Sequence, residues 1–470
     1  MPRILFVIAT ALLLVSATSQ AETSPAERLA EAVRFKTISH QDRSKVDGDE
    51  FRRFHDFLRT TYPRVFTQLE VESINEFSLL IRWLGTDAEL PPVLFTAHMD
   101  VVPIEPGTED DWQQPPFAGI IADERIYGRG TLDDKEGVLG LLEAAEGLLA
   151  EGFAPRRSLV FAFGHDEEVS GRNGAAKLAQ RMREYGWHFA WMVDEGGMVI
   201  SDNPILPGKS VAIINVAEKG YLTLTLVASG DGGHSSSPPK ISTIGRLSAA
   251  LVRIENNPFP TRLIGPVKAM LEAMAPYAEQ PQRFVFNNLW LTGGMVANTM
   301  AKDRLTNSFV RTTTALTMIN AGVKENVIPQ RAEAKVNFRL LPGDTPESVV
   351  SRIKELVGDP EIEVSYDQWN QIPGVSDHTG WGFAAISDAV LSVYPETVVV
   401  PSLLTAATDT RHYIDLTDNQ YRFHGILVET SQAKSAHGTN EYIDIQSYVN
   451  SIAIARKMLE LAAQPAPANR

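Results

Sequence analysis

From Pro92 onward, short apolar runs alternate with stretches of helical spacing, and each run stops at a charged or glycine-rich turn. The runs 93–97, 158–163 and 189–193 are apolar almost throughout, which predicts strands buried on both faces. Strands of that kind need helices above and below them, and the stretches 135–150 and 174–185 supply the spacing. The expected class is therefore α/β, a layered fold around a mostly parallel sheet.

The alternation breaks near Gly220. Residues 221–228 and 331–340 alternate polar and apolar like half-exposed strands, and 242–254 has helical spacing between them. From about residue 371 the first pattern returns, with a helix over 381–393, a strand over 397–400 and a closing helix over 445–461. This order predicts a discontinuous domain over 22–216 and 368–462, interrupted by an α+β insertion over 217–367. With 470 residues, 44% of them hydrophobic, the chain is long enough for two cores.

Residues 1–21 read as a secretory leader: Arg3 precedes an apolar stretch of 14 residues, and Ser19 and Ala21 are small where a signal peptidase cuts. That stretch is shorter than the ~20 residues a bilayer requires, so no stable membrane span is expected after cleavage. Export to the periplasm or medium follows, and residues 463–470 are expected to form a flexible tail. The chain has no cysteine, which excludes disulfides and a thiol nucleophile and leaves any metal to His, Asp and Glu. Its net charge is −15 and no basic run occurs, so nucleic acid is excluded as a partner.

The chemistry lies where the runs end. His98 and Asp100 follow the first run and point to one side of an extended chain, the arrangement of a ligating imidazole and its orienting carboxylate. A surface His-x-Asp would look the same in isolation. Asp133 and Asp134 open a helix behind a glycine turn; an N-cap explains one of them, and Asp133 is a candidate bridge between two metal ions. Glu167 and Glu168 diverge at a strand end, so one can bind metal while the other moves a proton. Asp194 and Glu195 follow the next run, and His437 lies near the end of the chain. Each would pass as a solvated turn alone; jointly they form an oxygen and nitrogen donor set that suits zinc.

In order, TAHMDVVP, GRGTLDDKEG, GHDEEVSG, VDEGG, GGHSSSP, NVIP, TDTRHY and AHGTNE resemble the co-catalytic zinc aminoacylase and carboxypeptidase family, especially its carboxypeptidase S-like branch. The resemblance spans residues 95–443. It implies a three-layer αβα catalytic domain with an inserted lid that forms a homodimer. It further implies two Zn2+ per chain, with Co2+ or Mn2+ as substitutes. His98 and Asp194 complete one zinc site, Glu168 and His437 the other, and Asp133 bridges them; relatives use either acidic position of VDEGG, so Glu195 is the alternative to Asp194. By the same resemblance Asp100 orients His98, Glu167 is the general base, His234 steadies the oxyanion across the dimer, and Asn326 and Arg411 hold the substrate.

The reaction so implied is cleavage of a C-terminal peptide bond or of an N-acyl amino acid, releasing an amino acid. Hydrolysis of non-peptide amides is the alternative within the same chemistry. A non-catalytic binding module predicts lost ligands, and none is lost.

Overall fold

The computed structural model describes residues 23–467, so the leader expected over 1–21 lies outside the described residues. A ten-stranded sheet organises the larger part of the chain. At its centre Val93–His98 runs parallel to Leu159–Gly164 on one side and to Trp191–Asp194 on the other, and Gln420–Arg422 continues in parallel beyond. Hairpins reverse the direction outside this centre: Ser78–Trp83 joins antiparallel to Leu159–Gly164, with Glu70–Ile74 outside it. At the other side Val211–Glu218 pairs antiparallel with Gln420–Arg422 and Val199–Ile200 but parallel with Val398–Leu404. The sheet is thus mixed, with its parallel register concentrated where crossover helices connect the strands.

Period-two alternation explains why the central runs read as apolar at nearly every position. Phe95, Phe161 and Val193 face a core that takes Leu29 from Pro25–Val33, Val138 from Lys135–Ala150, Ile386 from Trp381–Val393 and Tyr448 from Ile445–Ala462. Leu94, Val160 and Met192 face the opposite way, against Leu178 and Met182 of Ala175–Glu184. Two helical layers thereby enclose the sheet and leave its parallel strand ends open to solvent on one side. Loops from several strands converge there, at the usual ligand position of α/β sheets.

A second, antiparallel sheet orders Thr313–Ala321, Arg331–Leu340, Gly220–Ser229 and Ile362–Asn370. Ala334, Val336 and Phe338 point to the helices Thr243–Asn256 and Pro346–Val357, while Lys335, Asn337 and Arg339 point the other way. A one-residue slip would bury the charged set, and at about 2–3 kcal/mol for each large apolar side chain exposed it would be strongly disfavoured.

The region expected as one insertion holds two packing units. Helices Gly265–Met274, Gln282–Asn287 and Leu289–Met300 do not join the second sheet; Val267, Met270 and Leu271 pack on Val398, Val400 and Leu403 of the main sheet. The expected tail also begins later than residue 463. Ala463 is fully buried and its carbonyl accepts the Arg157 N–H at 2.8 Å. Among the described residues no helix is long and apolar enough to cross a membrane.

Candidate active site

The strand Val93–His98 ends with His98 almost completely buried. Its Nδ1 lies 3.0 Å from the Asp100 carbonyl oxygen and 3.4 Å from Asp100 Oδ1, which turns Nε2 outward. There Nε2 meets Asp133 Oδ1 at 2.9 Å and Glu195 Oε1 at 3.5 Å. The other oxygen of Asp133, Oδ2, is 2.9 Å from His437 Nε2, which in turn lies 3.0 Å from Glu168 Oε2. One carboxylate therefore sits between two imidazoles, each with a further glutamate beside it.

The loops that bring these groups together are tied from below. Asp100 accepts the N–H groups of both Glu167 and Glu168, at 3.1 and 3.2 Å, so it aligns the Glu-Glu turn as well as the His98 ring. Glu441 accepts the N–H groups of Gly130 and Leu132 at 3.0 and 2.8 Å and pairs with Arg129 at 2.5 Å. Arg129 also donates to the Gly438 carbonyl. This buried pair fastens the Asp133 loop to the His437 loop, whose ligands come from opposite ends of the chain. Beyond the Glu-Glu turn a glycine is required at position 171: at φ +62° a side chain there would be strained, and its Cβ would lie 2.0 Å from Asp409 Oδ1.

The electrostatics are those of a site short of positive charge. Burial alone would depress the His98 imidazole, but Asp100, Asp133 and Glu195 hold it well above its ordinary value. Hydrogen bonds with Asp133 and Glu168 lift His437 to about 10 against the opposing effect of burial. Burial and the charge of Asp133 raise Glu168 to about 7. Burial, followed by the charges of Asp409 and Glu195, pushes Glu167 well above the usual carboxylate range, while His98 and Arg411 pull the other way.

Each expected residue can now be located. His98, Asp133 and Glu168 offer donor atoms within 4.8 Å of one another, and so do His98, Glu167 and Glu195. Asp194 does not join either group. The last residue of its strand, it is buried with Oδ2 left without a hydrogen bond, whereas Glu195, one residue on, turns towards His98. The period of two separates the neighbours: only one of two adjacent acidic residues at a strand end can face a given ligand. Arg411 Nη2 stands 4.0 Å from Glu167 and 3.5 Å from Asp409 in a cleft of about 550 Å3. His234 and Asn326 are not in that cleft. They lie together on an exposed two-stranded ladder, where the Ser235 N–H donates to the Asn326 carbonyl at 3.2 Å and His234 Nδ1 contacts Ser236 Oγ at 2.8 Å.

The structure adds residues that the motifs did not single out. Arg339 and Tyr221 line the cleft from the insertion, with the guanidinium 4.9 Å from the ring centroid. The signal for Arg339 was present in the alternation of 331–340, which sets it on the polar face.

A half-buried carboxylate flanked by two imidazoles and two further carboxylates, with a further acid and an arginine facing a cleft, defines a metal-dependent amide hydrolase. Residues 94–461 match the family model of peptidase family M20/M25/M40, and the chain belongs to that family. It is 38% identical to the probable carboxypeptidase S-like 2 of Dictyostelium discoideum, over 92% of this chain and 84% of that protein. Identity is also 38% with the N-fatty-acyl-amino acid synthase/hydrolase PM20D1 of Bos taurus, over 91% and 85%, and 32% with carboxypeptidase S of Saccharomyces cerevisiae, over 92% and 82%. Among solved structures, the M20 family metallo-carboxypeptidase Sso-CP2 of Sulfolobus solfataricus shares the fold, with a TM-score of 0.66 at 17% identity over 94% of this chain and 99% of that one.

The donor set fits a pair of divalent metal ions. Both outward Nε2 atoms meet only carboxylate oxygens, no thiolate is available, and the two oxygens of Asp133 face different imidazoles. The raised affinity of both rings for a proton reports the negative potential that would favour a cation in its place.

Proposed function

We propose that this chain is a two-zinc hydrolase that releases an amino acid from N-acyl amino acids or from the C-terminus of peptides. The observation that carries the reading is Asp133, held between His98 and His437 at 2.9 Å from each. His98 and Glu195 would hold one ion and Glu168 and His437 the other, with Asp133 shared, so Glu195 replaces Asp194 in the expected set. When bound, such ions supply an acidified water and a polarised carbonyl.

The protein's own groups divide the remaining work. Glu167 takes a proton from the attacking water and returns it to the departing nitrogen, a role that its raised proton affinity suits. Asp100 keeps both the His98 ring and the Glu167 backbone in place. Arg411 offers paired N–H donors to the carboxylate of the amino acid that leaves. The exposed ladder carrying His234 and Asn326 serves a second copy of the chain: in a homodimer formed through the insertion, His234 reaches the partner's cleft to stabilise the oxyanion, and Asn326 helps seat the substrate.

The names of the relatives bear on the substrate, since a carboxypeptidase and an N-fatty-acyl-amino acid hydrolase share an amide followed by a free carboxylate. Export through the leader at 1–21 would place the enzyme outside the cytoplasm. The test pairs elemental analysis with amino acid release from N-acyl amino acids and from dipeptides, before and after chelation. Two zinc ions per chain and chelator-sensitive release are expected. A metal-free protein that neither zinc nor cobalt activates would overturn the reading.

A further inference from the structure

Below the cleft, on the inner side of the Asp133 loop, three side chains converge that the assignment above leaves unused. Asp134, Glu136 and His424 each bring one donor atom to within 4.8 Å of the others. His424 Nε2 is 3.2 Å from Asp134 Oδ1, and its Nδ1 is 2.8 Å from Glu136 Oε1. Asp134 is 0% exposed and Glu136 2%. Asp134 Oδ1, Glu136 Oε1 and His424 Nε2 are all buried atoms without a well-formed hydrogen bond. Glu136 and His424 also line a cavity of about 40 Å3, whose remaining wall includes Thr96, Leu141, Phe423 and Met458. That is more room than the ~10–15 Å3 one water requires.

The donor atoms decide what such a cavity should hold. Three donor atoms taken out of water and left without a well-formed hydrogen bond are a costly arrangement unless something fills the gap between them. Two carboxylates and an imidazole are the donor set of a borderline divalent cation.

We propose that Asp134, Glu136 and His424 form a third, buried cation site for a divalent ion of the zinc or manganese class. The helix beginning at Lys135 closes tightly over it: a Cβ on Gly137 would lie 2.2 Å from Asp134 Oδ1 and 3.1 Å from His424 Nε2. The second oxygen of Asp134 accepts the His98 N–H at 2.9 Å, so the ion would brace the cleft from behind without touching substrate.

The test uses the full chain, loaded by dialysis against buffered Zn2+, desalted and measured for zinc per chain, with crystals of the same material examined by anomalous scattering at the zinc edge. Three ions are expected in the wild type, and two in each of His424→Asn and Glu136→Gln. His437→Ala should lose cleft metal yet keep the peak among Asp134, Glu136 and His424. That variant separates this proposal from the two-zinc reading, because either site can fail without the other. An anomalous map of the wild type with no peak at the trio, or unchanged stoichiometry in folded His424→Asn and Glu136→Gln, overturns the proposal. Should both variants fail to fold, the wild-type map alone decides.

Discussion

The metal cluster and the His234 ladder carry equally distinctive motifs, yet the fold treats them in opposite ways. His98, Asp133, Glu168 and Glu195 gather at the end of a sheet enclosed by two helical layers, and the loops that carry His98, Asp133 and Glu168 are tied to others by buried or part-buried hydrogen bonds. His234 and Asn326 stand exposed on a ladder that pairs only Gly233–His234 with Val327–Ile328. The first region is complete within one chain. The second stands apart from the cleft with its polar groups open to solvent, and the contrast separates what the fold assembles within one chain from what the proposed dimer would have to supply.

The sharpest way to break this comparison is to remove the base from the complete half. Glu167→Gln keeps shape and hydrogen bonding but cannot accept a proton, so turnover should fall about 10²–10⁴-fold. Zinc content should stay at the wild-type value, since Glu167 is not assigned as a ligand. Wild-type turnover in this variant would end its assignment as base.

The incomplete half predicts a smaller loss of a different kind. His234→Ala should lower kcat about 10²–10³-fold, the usual cost of one oxyanion donor, with metal content unchanged. Mixing Glu167→Gln with His234→Ala protein then discriminates between the regions. If the ladder serves the partner, each hybrid dimer regains one intact site and part of the activity returns; if His234 acts within its own chain or not at all, mixing restores nothing.

Arg411→Lys should cost less again, about 10–100-fold in kcat/KM, because a lysine keeps the charge but loses the paired N–H donors that grip a carboxylate. The loss should vanish for amide substrates that lack a terminal carboxylate. An equal loss on both kinds of substrate would mean that Arg411 acts by holding Asp409 and Glu167 rather than substrate.

Much of the complete half was legible in the sequence, for a physical reason. Strands buried on both faces must be apolar throughout, and ligands clustered at their ends interrupt that pattern abruptly, so 93–97, 158–163 and 189–193 announced both the sheet and the site. The helices 135–150 and 381–393 coincide with the observed Lys135–Ala150 and Trp381–Val393. What stayed illegible were choices decided by tertiary packing. Composition cannot say which of Asp194 and Glu195 faces His98, because that depends on where the strand ends. The helices from Gly265 to Met300 read as part of the insertion because their neighbours in sequence belong to it, although their apolar faces complement Val398 and Val400 far along the chain. Glu441 and Arg129, which join the two ligand loops, lie 312 positions apart, beyond any local pattern.

The smallest expected effect separates the two regions by pH rather than by activity. The catalytic part buries His55, whose Nε2 lies 2.9 Å from the Phe77 carbonyl oxygen, and burial depresses its pKa to about 4. Burial and the nearby Arg411 lower His412 to about 4 as well. Unfolded, each would titrate near 6.5, so between about 6.5 and 4 the unfolded chain binds the additional protons and stability falls as the pH drops. For His55 the full window corresponds to about 3 kcal/mol. The insertion holds a single histidine, His234, and it is exposed rather than buried. Hydrogen exchange should therefore show Gly48–Thr61 and Ser78–Trp83 losing protection before Arg331–Leu340 as pH is lowered through this window. In His55→Gln, which retains an N–H donor for Phe77 and cannot titrate, the first of these losses should shrink; an unchanged acid profile in that variant would remove His55 as its source and leave His412 to account for it.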